Sequence, residues 1–305
     1  MSSLHKGINL ALLTAFISGF ANFINKYGLE LWDNSSVYTT AKNIVAAVLL
    51  TVTVLAVRNF PEIRRLTRKQ RAQLVAIGFI GGSIPFLLFF RALTIIPALE
   101  ASFIHKTLFI WVALLAYPFL KERLSLMQLA ALGLLLLSVY LGGAPQTFTF
   151  GAGSLLALGA TLLWAVENVF AKRILQDVSA AVVGWARMFF GSLFLLAYLA
   201  VTGNITQLIP ATLPQAGITL GVGVILFGYV ISWYAALKHA PATVVSSVLV
   251  LATPITALLN GLFIQHAFPA PILLSLAVMI GALLILLERP QGLFLKRQTT
   301  PSHNT

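Results

Sequence analysis

Long apolar runs separated by short connections dominate the pattern of hydrophobic and polar positions along this chain. A helix that crosses the hydrocarbon core of a bilayer needs about 20 predominantly apolar residues, and ten runs approach that length. They lie near residues 7–26, 37–57, 72–94, 98–118, 125–143, 151–171, 180–201, 214–236, 241–263 and 269–287. No strand-like alternation of polar and apolar residues accompanies them. The pattern therefore predicts an all-α integral membrane protein with ten transmembrane helices.

Lysine and arginine concentrate in alternate connections between these runs. The segments 142–150, 203–214 and 265–271 contain neither residue. The even-numbered connections and the two terminal segments hold Lys6, Arg58, Arg64, Arg65, Arg68, Lys69, Arg71, Lys121, Arg123, Lys172, Arg173, Lys238, Arg289, Lys296 and Arg297. Because cytoplasmic loops carry an excess of basic residues, we expect both termini in the cytoplasm, with residues 289–305 as a polar cytoplasmic tail.

Composition supports a lipid environment and narrows the chemistry. Apolar residues make up 59% of the 305 residues and charged residues 9%, against about 25% charged in soluble domains. The net charge is +12, and most of the basic residues lie in alternate connections between the apolar runs. The charge therefore indicates membrane orientation, and we expect no nucleic-acid partner. There is no cysteine, which excludes disulfides, thiolate metal sites and cysteine catalysis.

The two halves of the chain repeat one another. At an offset of 144 residues, segment 92–119 shares nine identities with the second half. The first copy holds Ala92, Leu93, Pro97, Ala98, Ser102, Ala113, Leu114, Leu115 and Phe119, and the second holds Ala236, Leu237, Pro241, Ala242, Ser246, Ala257, Leu258, Leu259 and Phe263. Allowing gaps, Asn22, Lys26 and Lys42 match Asn168, Lys172 and Arg187.

This duplication predicts a first five-helix repeat over 1–143, a linker over 144–150 and a second repeat over 151–288. Five is an odd number of spans, so the second repeat should run through the membrane in the opposite sense. Inverted repeats commonly build carriers that work by alternating access, with the substrate near the bilayer midplane. A duplicated scaffold without transport activity is the alternative.

Several local motifs resemble the EamA-type branch of the drug/metabolite transporter superfamily over about residues 7–288. The motifs are Leu120-Lys121-Glu122-Arg123-Leu124, Gly133 in the fifth span, the Ala-Leu-x3-Pro-Ala turn at 92–98 and 236–242, and Trp164. The second half departs from the pattern, since it has Ile264-Gln265-His266-Ala267 after the ninth span and Ser18 is the counterpart of Trp164. The resemblance implies transport of amino acids and related metabolites, sugars, nucleotide sugars or choline-like cations, and it leaves the substrate open.

Ionisable residues inside predicted spans are the first candidates for function, because charge in a membrane is costly. Lys106 is expected to bind a substrate carboxylate or phosphate, or to pair with Glu167 or Glu100. His105 is expected to pack at an interface or to relay protons. Glu167 is expected to bind an amine, carry a coupling proton or neutralise Arg187. Arg187 and its counterpart Lys42, together with Glu100, are predicted to be structural or gating charges.

Amides and aromatic residues complete the predicted substrate site. Asn22 and Asn168 are either interhelical hydrogen-bonding groups or residues of a cavity wall. Trp164 and Tyr229 are predicted to face that cavity, whereas Trp32 resembles an interfacial anchor.

Three further features concern packing. Pairs of glycines, Gly78 with Gly82 and Gly217 with Gly221, predict close helix approach in the third and eighth spans. Pro85 predicts a kink in the third span. Glu122, between two basic residues, is expected to form a solvated ion pair that caps the next helix.

The sequence therefore predicts a multi-pass secondary transporter of a bacterial inner membrane that exports amino acids or related small metabolites, with proton coupling as one option. A sugar, a choline-like cation or a lipid-linked substrate is the alternative, and a non-transporting membrane scaffold or a membrane enzyme without a known motif is a further one. No P-loop, GxSxG or HExxH motif occurs, so we expect no enzyme activity, cofactor or metal. The oligomeric state stays open, with a homodimer as one arrangement.

Overall fold

A computed structural model describes residues 2–57, 60–142, 150–266, 268 and 271–288 of the chain. The helices of the first half are α1 (Ser3–Leu31), α2 (Ser35–Ala56), α3 (Phe60–Arg65), α4 (Arg68–Gly82), α5 (Ile84–Ala92), α6 (Ala98–Lys106), α7 (Leu108–Leu120) and α8 (Leu126–Leu141). The second half contains α9 (Ala152–Ile174), α10 (Ala180–Val201), α11 (Leu213–His239), α12 (Ala242–Val248), α13 (Ala252–Asn260) and α14 (Pro271–Glu288). Short 3₁₀ segments at Ile205–Leu208 and Leu249–Leu251 and a π-helical segment at Gly261–Gln265 complete the described elements.

The described part of the chain is all-helical, without a strand. Eight helices of the described chain are long and apolar enough to cross a membrane. In this count α4 and α5 form one helix, α6 and α7 form another, and α12, α13 and the π-helical segment form a third. The apolar helices α8 and α14 are shorter and pack against each other. The predicted fold class is thus confirmed in its coarse form. The predicted linker lies almost wholly outside the described residues, and the cytoplasmic tail lies entirely outside them.

Polar side chains set several helix starts. Asn34 Oδ1 accepts the backbone N–H of Ser36 at 2.9 Å and so caps α2. A capping box, in which side chain and backbone bond reciprocally, joins Thr67 to Gln70 at the start of α4. Ser125 and Gln128 form the same motif at the start of α8. These caps satisfy N–H groups that lack an intrahelical partner.

Helix packing follows the sequence repeat. α1 packs against α11 and α13, and its counterpart α9 packs in the same way against α4–α5 and α6–α7. The counterparts α2 and α10 pack against each other, as do α8 and α14. The start of α1 and the end of α9 both contact segment 237–240, through Ser3 and Lys172. These two repeat-related helices therefore run in opposite directions.

Glycines allow close approach in one of the two predicted places. Gly82 lies against α10, where an added Cβ would stand 3.0 Å from Gly191 Cα, and Gly78 packs on the same helix. By contrast, Gly217 and Gly221 are exposed and have no described neighbour within 4 Å of an added Cβ. The packing prediction was wrong for this second pair, because that face of α11 is not covered by a described helix.

Candidate functional site

A cavity of about 560 Å³ lies inside the bundle, lined by residues of both repeats. Ligand sites usually enclose roughly 300–1,000 Å³, so a small metabolite fits. Glu30, Asp33, Ser35 and Thr94 line its mouth, at the end of the bundle where α1 ends and α2 begins. We call this the open end. Trp32, predicted to be an interfacial anchor, is instead buried and lines this region.

Hydrogen bonds between helices seal the opposite end of the bundle. Lys172 Nζ donates to the carbonyl oxygens of Leu237 at 2.5 Å and Ala240 at 2.9 Å. Glu122 accepts the backbone N–H groups of Ala242 at 2.8 Å and Thr243 at 3.1 Å, and also the Thr243 hydroxyl at 2.8 Å. Glu122 is 5% exposed. The predicted solvated ion pair was therefore wrong: the carboxylate caps the first turn of α12, where helix N–H groups favour negative charge.

Lys42 and Arg187 approach the cavity from the paired helices α2 and α10. The Lys42 ammonium lies 4.5 Å from the ring centroid of Phe90, 5.0 Å from that of Phe86 and 5.8 Å from that of Tyr38. Arg187 Cζ lies 5.7 Å from the same Phe86 ring. Both side chains are buried and both line the cavity. Cation–π contacts offset part of the cost of burying these charges.

Glu167 lies behind the cavity wall, next to Arg187. Its Oε1 accepts the hydroxyl hydrogen of Tyr234, and its Oε2 has no hydrogen-bond partner among the described residues. Gly81 provides the space for this arrangement, because an added Cβ would stand 2.8 Å from Glu167 Cδ and 3.3 Å from Arg187 Nε. Glu167 does not line the cavity as the structure describes it. Its roles in amine binding or proton transfer stay predictions.

Lys106 lies at a break in the fourth predicted span, where α6 ends and α7 begins after Thr107. The Lys106 side chain lines the cavity and is buried, and its Nζ has no hydrogen-bond partner within the described ranges. The predicted pairing with Glu167 or Glu100 is therefore absent there. Glu100 instead accepts the hydroxyl hydrogen of Ser154 at 2.5 Å and so links α6 to α9.

The second repeat breaks at the corresponding position, between α12 and α13. The 3₁₀ segment Leu249–Leu251 stands there, and Val250 is the counterpart of Lys106. Interrupted helices at matching positions of two repeats commonly mark transporter binding sites. The position of Lys106 beside such a break therefore favours substrate contact.

Aromatic rings line the cavity around these charges. Trp164 Nε1 donates to the carbonyl oxygen of Gly81 at 3.1 Å. The centroid of the His105 ring lies 4.8 Å from that of Trp164 and 5.3 Å from that of Phe89, so His105 packs at the interface between helices. It also lines the cavity. Tyr229 stacks on Trp233 at 5.9 Å, and both reach the cavity wall.

The two repeat-related asparagines both line the cavity. Asn168 also accepts the indole N–H of Trp233 at 3.0 Å, so it combines the two predicted alternatives. Sequence reasoning did not select Phe86, whose ring contacts both Lys42 and Arg187. The chain contains 21 phenylalanines, and no signal in the sequence distinguishes Phe86 from the others.

These features together describe a multi-pass helical membrane protein with a central cavity lined by aromatic and charged side chains, which is the architecture of a transporter. The chain belongs to the EamA-like transporter family, whose profile matches residues 5–142 and again residues 151–287. The two matches coincide with the two halves found in the sequence.

Curated relatives agree with this assignment, and a solved structure shares the fold. An uncharacterized transporter of Haemophilus influenzae is 27% identical over 214 residues, covering 68% of each chain. An uncharacterized transporter of Clostridium kluyveri is 23% identical over 230 residues, covering 72% of this chain and 73% of the relative. A solved crystal structure with 14% identity superimposes with a TM-score of 0.73 over 93% of this chain and 97% of its own, which shows the shared fold.

Proposed function

We propose that this protein is a secondary transporter that moves a small polar metabolite by alternating access. One observation carries the proposal: a cavity lined by both repeats is open at one end and sealed at the other by hydrogen bonds between helices, among them the bond that joins Glu122 of the first repeat to Ala242 of the second. The opposite directions of α1 and α9 support an inverted duplication, from which two equivalent gates facing opposite sides follow.

The membrane placement is part of the same proposal. If α8 and α14 also cross, the chain has ten spans, and the basic connections place both termini in the cytoplasm of a bacterial inner membrane. The sealed end then faces the cytoplasm and the open end faces outward. A carrier in this state would next bind its substrate from outside or release it there, so export and import both remain compatible with the cavity.

Two repeat-related leucines allow a test that needs no knowledge of the substrate. Leu29 lines the cavity at the open end, and its counterpart Leu175 is buried at the sealed end. The native chain has no cysteine, so Leu29→Cys and Leu175→Cys can be labelled singly and together with charged thiol reagents in proteoliposomes. The exposed Leu213, changed to cysteine, serves as the control for reagent access.

For a carrier, we expect Leu29→Cys to react quickly and Leu175→Cys to react slowly but measurably. In the double variant, a bulky reagent attached first at position 29 should lower the labelling rate at position 175, because it prevents closure of the open end. A fixed scaffold would leave position 175 unlabelled, or labelled at a rate that modification of position 29 does not alter. Either result would contradict alternating access.

A further inference from the structure

The charges that line the deep part of the cavity are unbalanced. Lys42, Lys106 and Arg187 are 2%, 4% and 4% exposed, and all three line the wall. The acidic residues Glu30 and Asp33 line only the mouth, where Lys26 accompanies them. The described wall therefore carries three cations in its deep part and no carboxylate.

Glu167 cannot balance this excess alone. It lies behind the wall beside Arg187, and its Oε1 is already engaged by Tyr234. A full compensation of one guanidinium by this carboxylate still leaves two ammonium groups. Lys106 Nζ and the Nε and Nη1 atoms of Arg187 have no acceptor among the described residues. Buried cations without a partner are costly, and a ligand that supplied the missing negative charge would lower this cost.

The aromatic cage of Tyr38, Phe86 and Phe90 orients one of these cations. Three rings surround the Lys42 ammonium within 5.8 Å, and ring faces attract the cation without neutralising it. The cage thus holds the ammonium beside Arg187 as a double positive charge. Lys106 approaches from a different helix, at the α6–α7 break. The wall therefore offers anions two separate attachment points.

We propose that the substrate is a small dianion, with its two negative charges either on two separate groups or on one phosphate. Its negatively charged oxygens bind Lys42 and Arg187 on one side and Lys106 on the other, and the rings of Trp164 and Tyr229 cover the rest of the molecule. A neutral zwitterion would leave the excess charge in place and would bring its own ammonium close to these cations. This inference rests on the proposed transport function, since it specifies the cargo of that carrier.

Dicarboxylates and phosphate monoesters share this chemistry, and matched probes separate charge from size. The full chain in detergent is titrated with succinate, succinamate and succinamide, which have nearly the same shape and two, one and no negative charges. Glycerol phosphate tests a phosphate source, and leucine tests a zwitterion. Binding is measured by calorimetry and by the rise in Tm.

We expect succinate or glycerol phosphate to bind at least about tenfold more tightly than succinamate, and succinamide and leucine more weakly still. The tighter binder of the two shows whether the substrate is a dicarboxylate or a phosphate monoester. In Lys106→Gln, the discrimination between succinate and succinamate should fall to within about threefold, while Lys121→Gln, which changes a lysine outside the cavity, retains it. Because the discrimination is a ratio within one variant, a general loss of stability does not mimic its fall.

Two outcomes would overturn the dianion assignment. One is binding of leucine or succinamate as tight as that of both dianions, and the other is the absence of binding by either dianion. Neither outcome affects the thiol-labelling test, which requires no ligand. If modification of position 29 slows labelling of position 175 but no dianion binds, the proposed transport function stands and only the dianionic substrate is refuted. If modification of position 29 does not alter labelling of position 175, the proposed transport function is itself refuted.

Discussion

Gly81 lies where three functional side chains meet. Its carbonyl oxygen accepts the Trp164 indole N–H, while Glu167 and Arg187 occupy the space that a side chain would need. Because protein interiors are closely packed, the contact between these helices has little room for an extra methyl group. The positions of the charges and of the ring therefore depend jointly on this one residue.

Replacing Gly81 with alanine should displace Glu167 and Arg187. We expect a loss of about 1–3 kcal/mol in the free energy of unfolding, the usual cost of overpacking, and a drop in affinity for the preferred ligand. Thermal unfolding in detergent and ligand titration measure both effects. Gly217→Ala is the matched control, because its added methyl group meets no described atom. Equal behaviour of the two variants would contradict the proposed role of Gly81.

At the scale of elements, the third span shows how a break in a helix frees a backbone carbonyl oxygen to accept a hydrogen bond from a side chain. A proline has no N–H, so Pro85 leaves the carbonyl oxygen four residues earlier, that of Gly81, without its helical donor. α4 ends at Gly82 and α5 starts at Ile84, as Pro85 predicted. The released oxygen accepts Trp164, and Asn43 Nδ2 donates to the next carbonyl, that of Gly82, at 3.4 Å.

Pro85→Ala should restore a donor that competes with Trp164 for the Gly81 carbonyl. We expect the helix to straighten, the indole to lose its orientation and ligand affinity to fall several-fold, with Tm unchanged or raised. Tryptophan fluorescence during ligand titration follows the indole directly. Pro118→Ala serves as control, since Pro118 is an exposed proline inside α7. Unchanged affinity and fluorescence in Pro85→Ala would refute this account of the break.

At the scale of the whole molecule, the two ends differ in their bonding. A left-handed residue ends the fourth span at Lys121 and the ninth at His266. Glu122 follows the first and caps α12, whereas Ala267, outside the described residues, follows the second in the sequence. The sealed end thus has a carboxylate latch for which the open end has no sequence counterpart. Stability should accordingly favour the conformation seen here.

Removing the latch charge tests this asymmetry. In Glu122→Gln, the hydrogen bonds to the start of α12 lose their charge assistance, which is worth about 1 kcal/mol or more. We therefore expect several-fold faster thiol labelling at Leu175→Cys in this background. Lys121→Gln, which alters the neighbouring charge, should leave the rate unchanged. A rate in Glu122→Gln equal to that of the parent would show that the latch does not hold this end.

Lys26, the repeat counterpart of Lys172, should make the equivalent hydrogen bonds when the open end closes. Lys172 holds the carbonyls of Leu237 and Ala240, and the repeat makes Leu93 and Ile96 the corresponding acceptors for Lys26. Lys26→Met should therefore stabilise the conformation described here and slow labelling at Leu175→Cys. Lys6→Met is the control, as a lysine of the opposite end. Faster labelling in Lys26→Met would contradict the proposal that Lys26 forms these hydrogen bonds when the open end closes.

The sequence by itself determined the helical membrane class, the positions of the spans to within a few residues, the duplication and the kink at Pro85. Apolar run length, composition and the chemistry of single residues are local features, and the duplication is visible when the two halves of the sequence are compared. It also selected Lys106, Trp164, Tyr229 and both asparagines, which do line the cavity.

Only the tertiary structure decided which groups meet. It placed Glu167 behind the wall, left Lys106 without the predicted carboxylate, and buried Glu122 against α12. Each of these outcomes depends on contacts between residues more than 50 positions apart, or on which face of a helix is covered. A span that is apolar on all sides gives no signal of its inward face, so the pairing of its few charges emerges only when the helices pack.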